Sequence, residues 1–367
     1  MKFKEVSITS DGLNVEFSNG IKDCFPFLWL RDHCKDDVNW DERSSQRKLF
    51  TALIDPNIKV SNVKIIQDSD ELEVKWPDME SAVFYSSKFL FQNSFGNNHV
   101  GNSLEVWDNT KISKNTIEID YSSLNKNSGF EGLLKVIKTF GFSVINNCPK
   151  DMSSVEFIAN KIGYVRNSIF GGLWSFESNS DMADSAYTQE ELRPHTDGTY
   201  NHDAPGLQLL LCCDYDAQGG ESIMVDGLKI AEEIQKNDKA CYNFLSEVDI
   251  PGRYYGDGVE LLAKRPVFRQ NKQKEIIQVS FNNYDRADFR LPNDQISNFY
   301  SSIRTFDKIA NDKSMQWRKI LQPGQLLIFD NWRILHGRSE FSGKRRMSGC
   351  YINKEDFESA CRMYNIN

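Results

Sequence analysis

The chain has little of what would assign it to the membrane, secreted or nucleic-acid-binding classes of protein. Its longest obvious apolar run covers eight residues, 206–213, whereas a membrane-spanning helix needs about twenty. Lysine and arginine, 44 in total, are outnumbered by 52 aspartates and glutamates, and the formal charge of −8 disfavours binding to a nucleic-acid backbone. The N-terminal segment has neither a continuous apolar stretch nor an arginine-rich, acid-poor composition. We therefore predict a cytoplasmic protein with neither a membrane nor a nucleic acid as partner.

Cysteine, glycine and proline are too few or too dispersed to indicate a special class of protein. The eight cysteines include no C-x-x-C pair and match neither a disulfide framework nor a complete zinc knuckle. The 22 glycines and 10 prolines exclude a collagen-like or low-complexity chain. We expect a folded protein with free thiols in a reducing compartment.

What the sequence does contain indicates two domains, since 367 residues exceed the length of one average domain. Residues 95–103 are rich in glycine and asparagine, so we expect a linker within residues 95–115. The prediction is a small β-rich N-terminal domain at residues 1–100 and a larger domain at residues 115–367. Alternating apolar and polar side chains predict strands of the small domain at residues 2–9, 13–17, 61–67 and 72–77.

The larger domain is predicted to be mainly β with flanking helices. Strand-like runs occur without a repeating βα alternation, which favours a β sandwich or barrel over a doubly wound parallel sheet. Apolar residues at three- and four-residue spacing predict helices at residues 130–140, 154–162, 228–245 and 293–312. We expect Ser153 or Ser154 to cap the second of these helices.

Two of the five histidines are placed where they can bind a metal ion. His195 and Asp197 are two residues apart on a predicted extended segment, so their side chains project to the same face. His336 follows a strand-like run, and distant segments often pair in a β sandwich. Two histidines and one carboxylate form the facial triad of non-haem Fe(II) oxygenases. In the other interpretation, His195 and Asp197 form hydrogen bonds in a loop and His336 is structural.

Arg345 lies nine residues after His336, on the next predicted strand. An arginine in this place is able to form two parallel hydrogen bonds with the distal carboxylate of a dicarboxylic co-substrate that chelates the metal through its 2-oxo acid group. The alternative is a surface pair of Arg345 and Arg346 in a hairpin. We select Arg345 as the anchor and not Arg346.

Further motifs occur in order along the whole chain: residues 29–34 (WLRDHC), 186–188 (AYT), 195–197 (HTD), 282–287 (NNYDRA), 330–338 (DNWRILHGR) and 349–351 (GCY). With these motifs the chain resembles the 2-oxoglutarate-dependent dioxygenases that act on trimethylammonium compounds. That family comprises the trimethyllysine and γ-butyrobetaine dioxygenases, and the resemblance is closer to the trimethyllysine branch.

The resemblance implies a fold, a cofactor set and an assembly. The implied fold is a double-stranded β-helix, or jelly roll, after the small β-rich domain. His195, Asp197 and His336 would bind Fe(II), Arg345 would anchor 2-oxoglutarate, and Ser222 would contact this co-substrate. Ascorbate is the expected reductant, and relatives suggest a homodimer.

The resemblance also implies an aromatic cage for the substrate. A quaternary ammonium group cannot donate a hydrogen bond, so aromatic faces bind it. The cage would contain Trp174, Tyr187 and Tyr351, and Phe170 stands where the γ-butyrobetaine enzymes have tyrosine. For each of these side chains, packing in the core is the alternative.

Asp184 is the residue on which the predicted substrate depends. By the resemblance, its carboxylate would pair with the α-ammonium group of trimethyllysine, whereas it would repel the carboxylate of γ-butyrobetaine. Asn282 would contact the amino-acid end of the substrate. In the other interpretation, Asp184 caps a helix or lies in a loop.

The N-terminal domain departs from the family pattern. Relatives carry a zinc site of several cysteines and one histidine, but residues 35–40 after Cys34 contain no further cysteine and residues 76–80 lack the histidine. One cysteine cannot complete a tetrahedral zinc site, so we expect no structural zinc.

The predicted function is therefore hydroxylation of trimethyllysine at C3, toward carnitine, with release of succinate and carbon dioxide. The first alternative keeps the chemistry and takes γ-butyrobetaine or a trimethylammonium phosphonate as substrate. The second is a non-catalytic betaine-binding protein with a vestigial iron site. The complete set of His195, Asp197, His336 and Arg345 disfavours this second alternative.

Overall fold

The computed structural model describes residues 1–96, 104–177 and 189–366. The chain divides into two units, Met1–Gly101 and Asn102–Asn367, which we call the N-terminal and the C-terminal unit. Each unit has buried apolar clusters of its own. In the described part of the chain, no helix is long and apolar enough to cross a membrane.

The N-terminal unit is built from antiparallel strands and two short helices. Its elements in chain order are β1 (Phe3–Ile8), β2 (Gly12–Phe17), β3 (Lys22–Pro26), α1 (Phe27–Asp32), β4 (Trp40–Asp41), β5 (Gln46–Arg47), β6 (Asn62–Ile66), β7 (Glu71–Lys75), β8 (Val83–Ser86) and α2 (Ser87–Gln92). Strands β1, β2 and β3 form one sheet, and β6, β7 and β8 form another. Strand β4 pairs with β5. In β2, Leu13, Val15 and Phe17 are buried and the residues between them are more exposed, which is the alternation that predicts strands.

Helices α1 and α2 are not predicted, because six residues each are too few to show helical periodicity. Cys34 follows α1 and is buried, with its Sγ 3.0 Å from the hydroxyl oxygen of Tyr85. That hydroxyl donates to the carbonyl oxygen of Leu30 at 2.7 Å. Burial raises the pKa of the Cys34 thiol, so the thiol is protonated at neutral pH.

The C-terminal unit contains two main sheets and several helices. Its elements in chain order are α3 (Asn109–Ile112), β9 (Glu118–Asp120), α4 (Asn127–Phe140), β10 (Phe142–Asn146), α5 (Met152–Ile162), β11 (Val165–Arg166), β12 (Leu173–Glu177), β13 (Leu192–His195), β14 (Leu207–Gly219), β15 (Ser222–Asp226), α6 (Gly227–Asn237), α7 (Lys239–Glu247), β16 (Ile250–Gly256), β17 (Val259–Arg265), β18 (Phe268–Gln270), β19 (Ile276–Val279), α8 (Asn293–Ala310), β20 (Gln316–Lys319), β21 (Leu326–Asp330), β22 (Ile334–Arg338), β23 (Phe341–Ile352) and α9 (Lys354–Met363).

The larger sheet has the strand order β11-β23-β14-β21-β10-β9, and β12 also pairs with β23. The smaller sheet has the order β13-β22-β15-β20. One apolar cluster takes Phe142, Phe329 and Met347 from the larger sheet and Met224 from the smaller sheet. The two sheets therefore pack face to face, as in a jelly roll.

Strand β14 explains why the longest apolar run of the sequence does not alternate. Leu209 and Leu211 pack in one cluster with residues of α4 and α5, on the outer face of the larger sheet. Leu210 and Cys212 pack in the cluster between the two sheets. Both faces of this strand are covered, so both require apolar side chains.

Two details of the predicted helices are wrong. The predicted helix at residues 228–245 is interrupted at Asp238, whose side chain caps α7 by accepting a hydrogen bond from the backbone NH of Cys241 at 2.9 Å. The cap of α5 is Asp151 and not Ser153 or Ser154, because the carboxylate of Asp151 accepts from the NH of Ser153 at 2.9 Å. A carboxylate is a strong N-cap acceptor, so capping decides both boundaries.

A buried ion pair joins the end of β15 to the turn before β22. Asp226 is fully buried, and its carboxylate accepts hydrogen bonds from Nε and Nη2 of Arg333 at 3.1 and 2.7 Å. It also accepts from the backbone NH groups of Trp107 and Leu228, both at 3.1 Å. This pair holds three segments of the C-terminal unit together.

We expect Asp226→Asn to lower the free energy of unfolding by about 3–5 kcal/mol, because it leaves the Arg333 guanidinium buried without a counter-charge. Urea unfolding measures the change. The matched control is Glu260→Gln, which breaks the exposed pair of Arg253 and Glu260 and should change the free energy by about 1 kcal/mol or less. Equal effects of the two substitutions would contradict this account of the buried pair.

Candidate active site

Two histidines face each other across a strand pair. His195 ends β13 and His336 lies in β22, and the antiparallel register of these strands places the two residues directly opposite. Their ring centroids are 4.3 Å apart. Asp197 follows two residues after β13, and its Oδ1 lies 3.4 Å from Nε2 of His195 and 3.6 Å from Nε2 of His336. The structure thus brings these three predicted residues together.

Hydrogen bonding and burial set the protonation of the group. Nδ1 of His195 donates to the carbonyl oxygen of Arg193 at 2.8 Å, which directs Nε2 toward Asp197. Burial lowers the pKa of His336 to about 3, so this imidazole is in the neutral form that binds metals. Burial opposes charge on both His195 and Asp197, but Asp197 raises the pKa of the His195 imidazole, and His336 and His195 lower the pKa of the Asp197 carboxyl group. Metal ions bind the neutral imidazole and the ionised carboxylate, so a metal ion at this site would compete with protonation of these groups.

The loop that carries Asp197 is fixed by Asn331, which the sequence pattern marks only as a turn residue. The side chain of Asn331 accepts from the backbone NH of Asp197 at 2.8 Å and donates to its carbonyl oxygen at 3.0 Å. The same side chain donates to the carbonyl oxygen of Pro205 at 2.9 Å. These contacts join residues more than a hundred positions apart, so no local motif signals them.

A pocket adjoins the His–Asp–His group. Every predicted site residue that the structure describes lines it, and Asp184 and Tyr187 lie outside the described residues. The predicted residues in its wall are Phe170, Trp174, His195, Asp197, Ser222, Asn282, His336, Arg345 and Tyr351.

Aromatic side chains of the pocket lie on β12 and β23. The ring of Trp174 is 5.6 Å from that of Tyr351 and stacks on Phe176 at 5.3 Å. Trp174 is opposite Gly349 in the register of the two strands, and a Cβ at position 349 would approach the indole ring to 2.4 Å. Glycine at this position therefore lets the indole lie against β23.

Two guanidinium groups share the ring of Phe341. Cζ of Arg338 is 4.8 Å from the ring centroid, and Cζ of Arg345 is 6.0 Å from it. Arg345 forms no hydrogen bond or ion pair with any described residue, whereas Nε of Arg346 donates to the exposed Asp214 at 2.6 Å. Burial lowers the pKa of both pocket arginines, that of Arg338 to about 10. A buried and a partly buried guanidinium on one ring form a binding place for an anion.

Arg338 and Asp285 are charged residues of the pocket that the sequence interpretation does not select. Arg338 follows His336 by two residues in β22, so the period-two geometry of a strand is the signal that would have placed both on one face. Asp285 lies in the loop between β19 and α8 and accepts from Nδ2 of Asn282 at 2.8 Å. No periodic pattern marks this loop, so the role of Asp285 depends on the tertiary structure.

Among the described residues, His195, Asp197 and His336 offer ligand atoms within 4.8 Å of one another, the arrangement of a metal site. Buried polar atoms nearby have no hydrogen-bond partner in the described part of the chain: Nδ1 of His336, Oε1 of Gln208 and Nε1 of Trp174. Folded proteins rarely leave such atoms unpaired, so their presence around one pocket indicates a place for a ligand.

Two family models match the chain. The model described as "Taurine catabolism dioxygenase TauD, TfdA family" matches residues 106–351. The model described as "Gamma-butyrobetaine hydroxylase-like, N-terminal" matches residues 5–91. The first match includes all the strands of the two main sheets except the last residue of β23, and it includes the His–Asp–His group.

Curated relatives extend the likeness over the whole chain. The trimethyllysine dioxygenase of Meyerozyma guilliermondii is 30% identical over 388 residues, which cover 100% of this chain and 96% of the relative. The mitochondrial trimethyllysine dioxygenase of Homo sapiens is 30% identical, with 97% of this chain and 86% of the relative covered. The γ-butyrobetaine dioxygenase of Pseudomonas sp. is 28% identical, with 95% and 93% covered. The chain belongs to the trimethyllysine and γ-butyrobetaine dioxygenase family.

The fold of this dioxygenase is also that of a solved structure. A putative α-ketoglutarate-dependent taurine dioxygenase from Burkholderia xenovorans matches with a TM-score of 0.50 at 11% sequence identity. The match covers 65% of this chain and 87% of that chain, and at this identity it concerns the fold alone. Together with the family models it confirms the predicted jelly-roll domain preceded by an N-terminal domain. The predicted family, with the closer likeness to the trimethyllysine branch, is confirmed as well.

Family membership makes the chain an Fe(II)- and 2-oxoglutarate-dependent dioxygenase, as predicted. The donor set fits iron, because two imidazole nitrogens and one carboxylate oxygen are the ligands of non-haem Fe(II) oxygenases. Arg345 fits a carboxylate of 2-oxoglutarate, since its guanidinium has no acceptor among the described residues.

We expect Arg345→Lys to weaken 2-oxoglutarate binding about 10- to 100-fold, because lysine cannot replace the paired hydrogen bonds of a guanidinium. Calorimetric titration of 2-oxoglutarate into the Mn(II)-loaded protein measures the Kd. Arg346→Lys is the matched control, since Arg346 donates to Asp214, and it should leave the Kd unchanged. A larger loss in the Arg346 variant than in the Arg345 variant would overturn the choice of Arg345.

Proposed function

We propose that this dioxygenase hydroxylates C3 of N6,N6,N6-trimethyllysine, the first step toward carnitine, while 2-oxoglutarate and oxygen give succinate and carbon dioxide. The observation that carries the proposal is one pocket that joins the His–Asp–His group to aromatic rings, to two arginines and to a separate carboxylate. In the proposal, His195, Asp197 and His336 hold Fe(II). Bound iron supplies the oxygen activation that an unactivated C–H bond requires.

The arginines of the pocket are proposed to bind 2-oxoglutarate. Arg345 anchors the distal carboxylate. Arg338, which contacts the same Phe341 ring, adds a second positive charge. Ser222 is buried and lies opposite Arg338 in the pairing of β15 with β22, where its hydroxyl is able to reach the same carboxylate. These contacts fix the orientation of the co-substrate before the reaction.

The aromatic rings are proposed to bind the trimethylammonium group. Trp174, Phe170 and Tyr351 line the pocket, and a quaternary cation binds to aromatic faces with about 0.5–2 kcal/mol per ring. Contact of each methyl group with apolar surface also contributes favourable binding free energy, because it removes apolar surface from water. Tyr187 stays a predicted member of this cage.

Asp285 supports an amino acid as the substrate. Its carboxylate lines the pocket, and the amide of Asn282 donates to it at 2.8 Å. The α-ammonium group of trimethyllysine is attracted by such a carboxylate, whereas the carboxylate of γ-butyrobetaine is repelled. Asn282 then contacts the amino-acid end of the substrate, as the sequence predicts. Asp184 stays a second predicted partner of the α-ammonium group.

γ-Butyrobetaine is the second candidate substrate, because the N-terminal family model and one relative carry its name. A trimethylammonium phosphonate is a further candidate of the same class. A non-catalytic betaine-binding protein is disfavoured, since such a protein has no use for the His–Asp–His group beside Arg345. A homodimer, cytoplasmic localisation and ascorbate as the reductant stay predictions.

The purified protein should produce succinate from 2-oxoglutarate in air with Fe(II) and ascorbate when trimethyllysine is added. Mass spectrometry should show one added oxygen on trimethyllysine, and NMR should place it at C3. Lysine, which lacks the quaternary cation, is the control substrate, and His195→Ala is the control protein. We expect little turnover with either.

Each outcome of this assay separates the alternatives. Turnover with γ-butyrobetaine and not with trimethyllysine would overturn the proposed substrate and leave the iron chemistry intact. Binding of trimethyllysine without oxygen-dependent succinate production would favour the betaine-binding protein.

We expect Asp285→Asn to lower kcat/KM for trimethyllysine about 10- to 100-fold, because the variant loses a charge-assisted hydrogen bond to the α-ammonium group. The ratio of rates with trimethyllysine and 6-(trimethylammonio)hexanoate, which has no α-ammonium group, should move toward one. Asp288→Asn, at an exposed position of the same loop, is the matched control.

Asp184→Asn in the same assay distinguishes the two carboxylates. A loss of preference in the Asp184 variant alone would assign the α-ammonium group to Asp184 and would contradict the role of Asp285.

A further inference from the structure

The two oxygens of the Asp197 carboxylate have different surroundings. Oδ1 faces Nε2 of both histidines, at 3.4 and 3.6 Å. Oδ2 instead accepts a hydrogen bond from the hydroxyl of Tyr351 at 2.8 Å. Tyr351 thus contacts the metal carboxylate and also lines the pocket where the substrate is proposed to bind.

We propose that Tyr351 is a positioning residue that holds Asp197 for coordination through one oxygen. This inference rests on the proposed function, in which Asp197 binds iron and the ring of Tyr351 faces the substrate cation. It gives the hydroxyl of Tyr351 a task that is separate from that of its ring.

The torsion of the Asp197 side chain is the reason that such a residue is needed. Asn331 fixes the backbone of Asp197 on both sides of the residue, but it does not fix the rotation of the carboxylate. A carboxylate free to rotate is able to offer both oxygens to one metal ion. In a facial triad, three positions stay open for co-substrate and oxygen, and a second carboxylate oxygen would occupy one of them.

Tyr351 is rigid enough to control this rotation. It lies in β23, where it is paired with Gln208 of β14 and with Arg166 of β11. Its side chain is buried and its ring packs at 5.6 Å from Trp174. A hydrogen bond from a fixed phenol to a carboxylate is charge-assisted, and such bonds are about twice as strong as neutral ones.

Tyr351→Phe separates the two tasks, because it removes the hydroxyl and keeps an aromatic face for the substrate. We expect Co(II) binding to weaken about 10-fold, as for other hydrogen-bond partners of metal ligands. The ligand-field absorption of bound Co(II) should change, since its intensity reports the number of ligands. The variant should also form more succinate per hydroxylated product than the wild-type protein does.

Tyr242→Phe is the matched control, because it removes a buried phenol that accepts one hydrogen bond, from Gln270, outside the pocket. It should leave the Co(II) affinity and spectrum unchanged. Wild-type Co(II) affinity and spectrum in Tyr351→Phe would overturn the inference and leave Tyr351 as a pocket wall only. The Co(II) titration needs no substrate, so failure of the proposed substrate would not affect it.

Discussion

The pairing of β13 with β22 is the interaction on which the site depends. It sets His195 opposite His336 and brings their rings to 4.3 Å between centroids. Strand β22 is paired on its other side with β15, and the buried Asp226–Arg333 pair holds the end of β15 to the turn before β22. Asp197 completes the group because Asn331 ties its backbone to the same turn. The candidate metal group is thus carried by two paired strands and by a loop that Asn331 holds in place, and this fixed geometry is the rigidity that catalysis requires.

Charge is distributed in the pocket according to the chemistry of the ligands it is proposed to hold. Arg338 and Arg345 share the ring of Phe341 and supply positive charge for a dicarboxylate. The aromatic rings and Asp285 supply the faces and the negative charge that the two cationic groups of trimethyllysine are proposed to contact. The three side chains of the His–Asp–His group line the same pocket as the two arginines and as the aromatic rings with Asp285. In this proposal, a substrate that has a carboxylate but no α-ammonium group at this end would meet net repulsion at Asp285.

Much of the fold and the centre of the site follow from sequence patterns, and the rest needs tertiary contacts. The H-x-D spacing and the position of His336 point to the metal group, because strand geometry places residues two apart on one face. The sequence does not predict the roles of Asp285, of Asn331 or of the Tyr351 hydroxyl. Asp285 contacts Asn282 within a loop that has no periodic pattern. Asn331 and Tyr351 both contact Asp197, which is more than a hundred residues away along the chain. The break at Asp238 is missed because apolar spacing continues through it, while a side-chain cap decides the boundary.

The most direct test of this account is a crystal structure of the anaerobic protein with Mn(II), 2-oxoglutarate and trimethyllysine. The account predicts Mn(II) bound by His195, by one oxygen of Asp197 and by His336, with the distal carboxylate of 2-oxoglutarate on Arg345. It predicts the trimethylammonium group against Trp174 and C3 as the substrate carbon nearest the metal. Metal bound elsewhere, or trimethyllysine bound with another carbon nearest the metal, would contradict it.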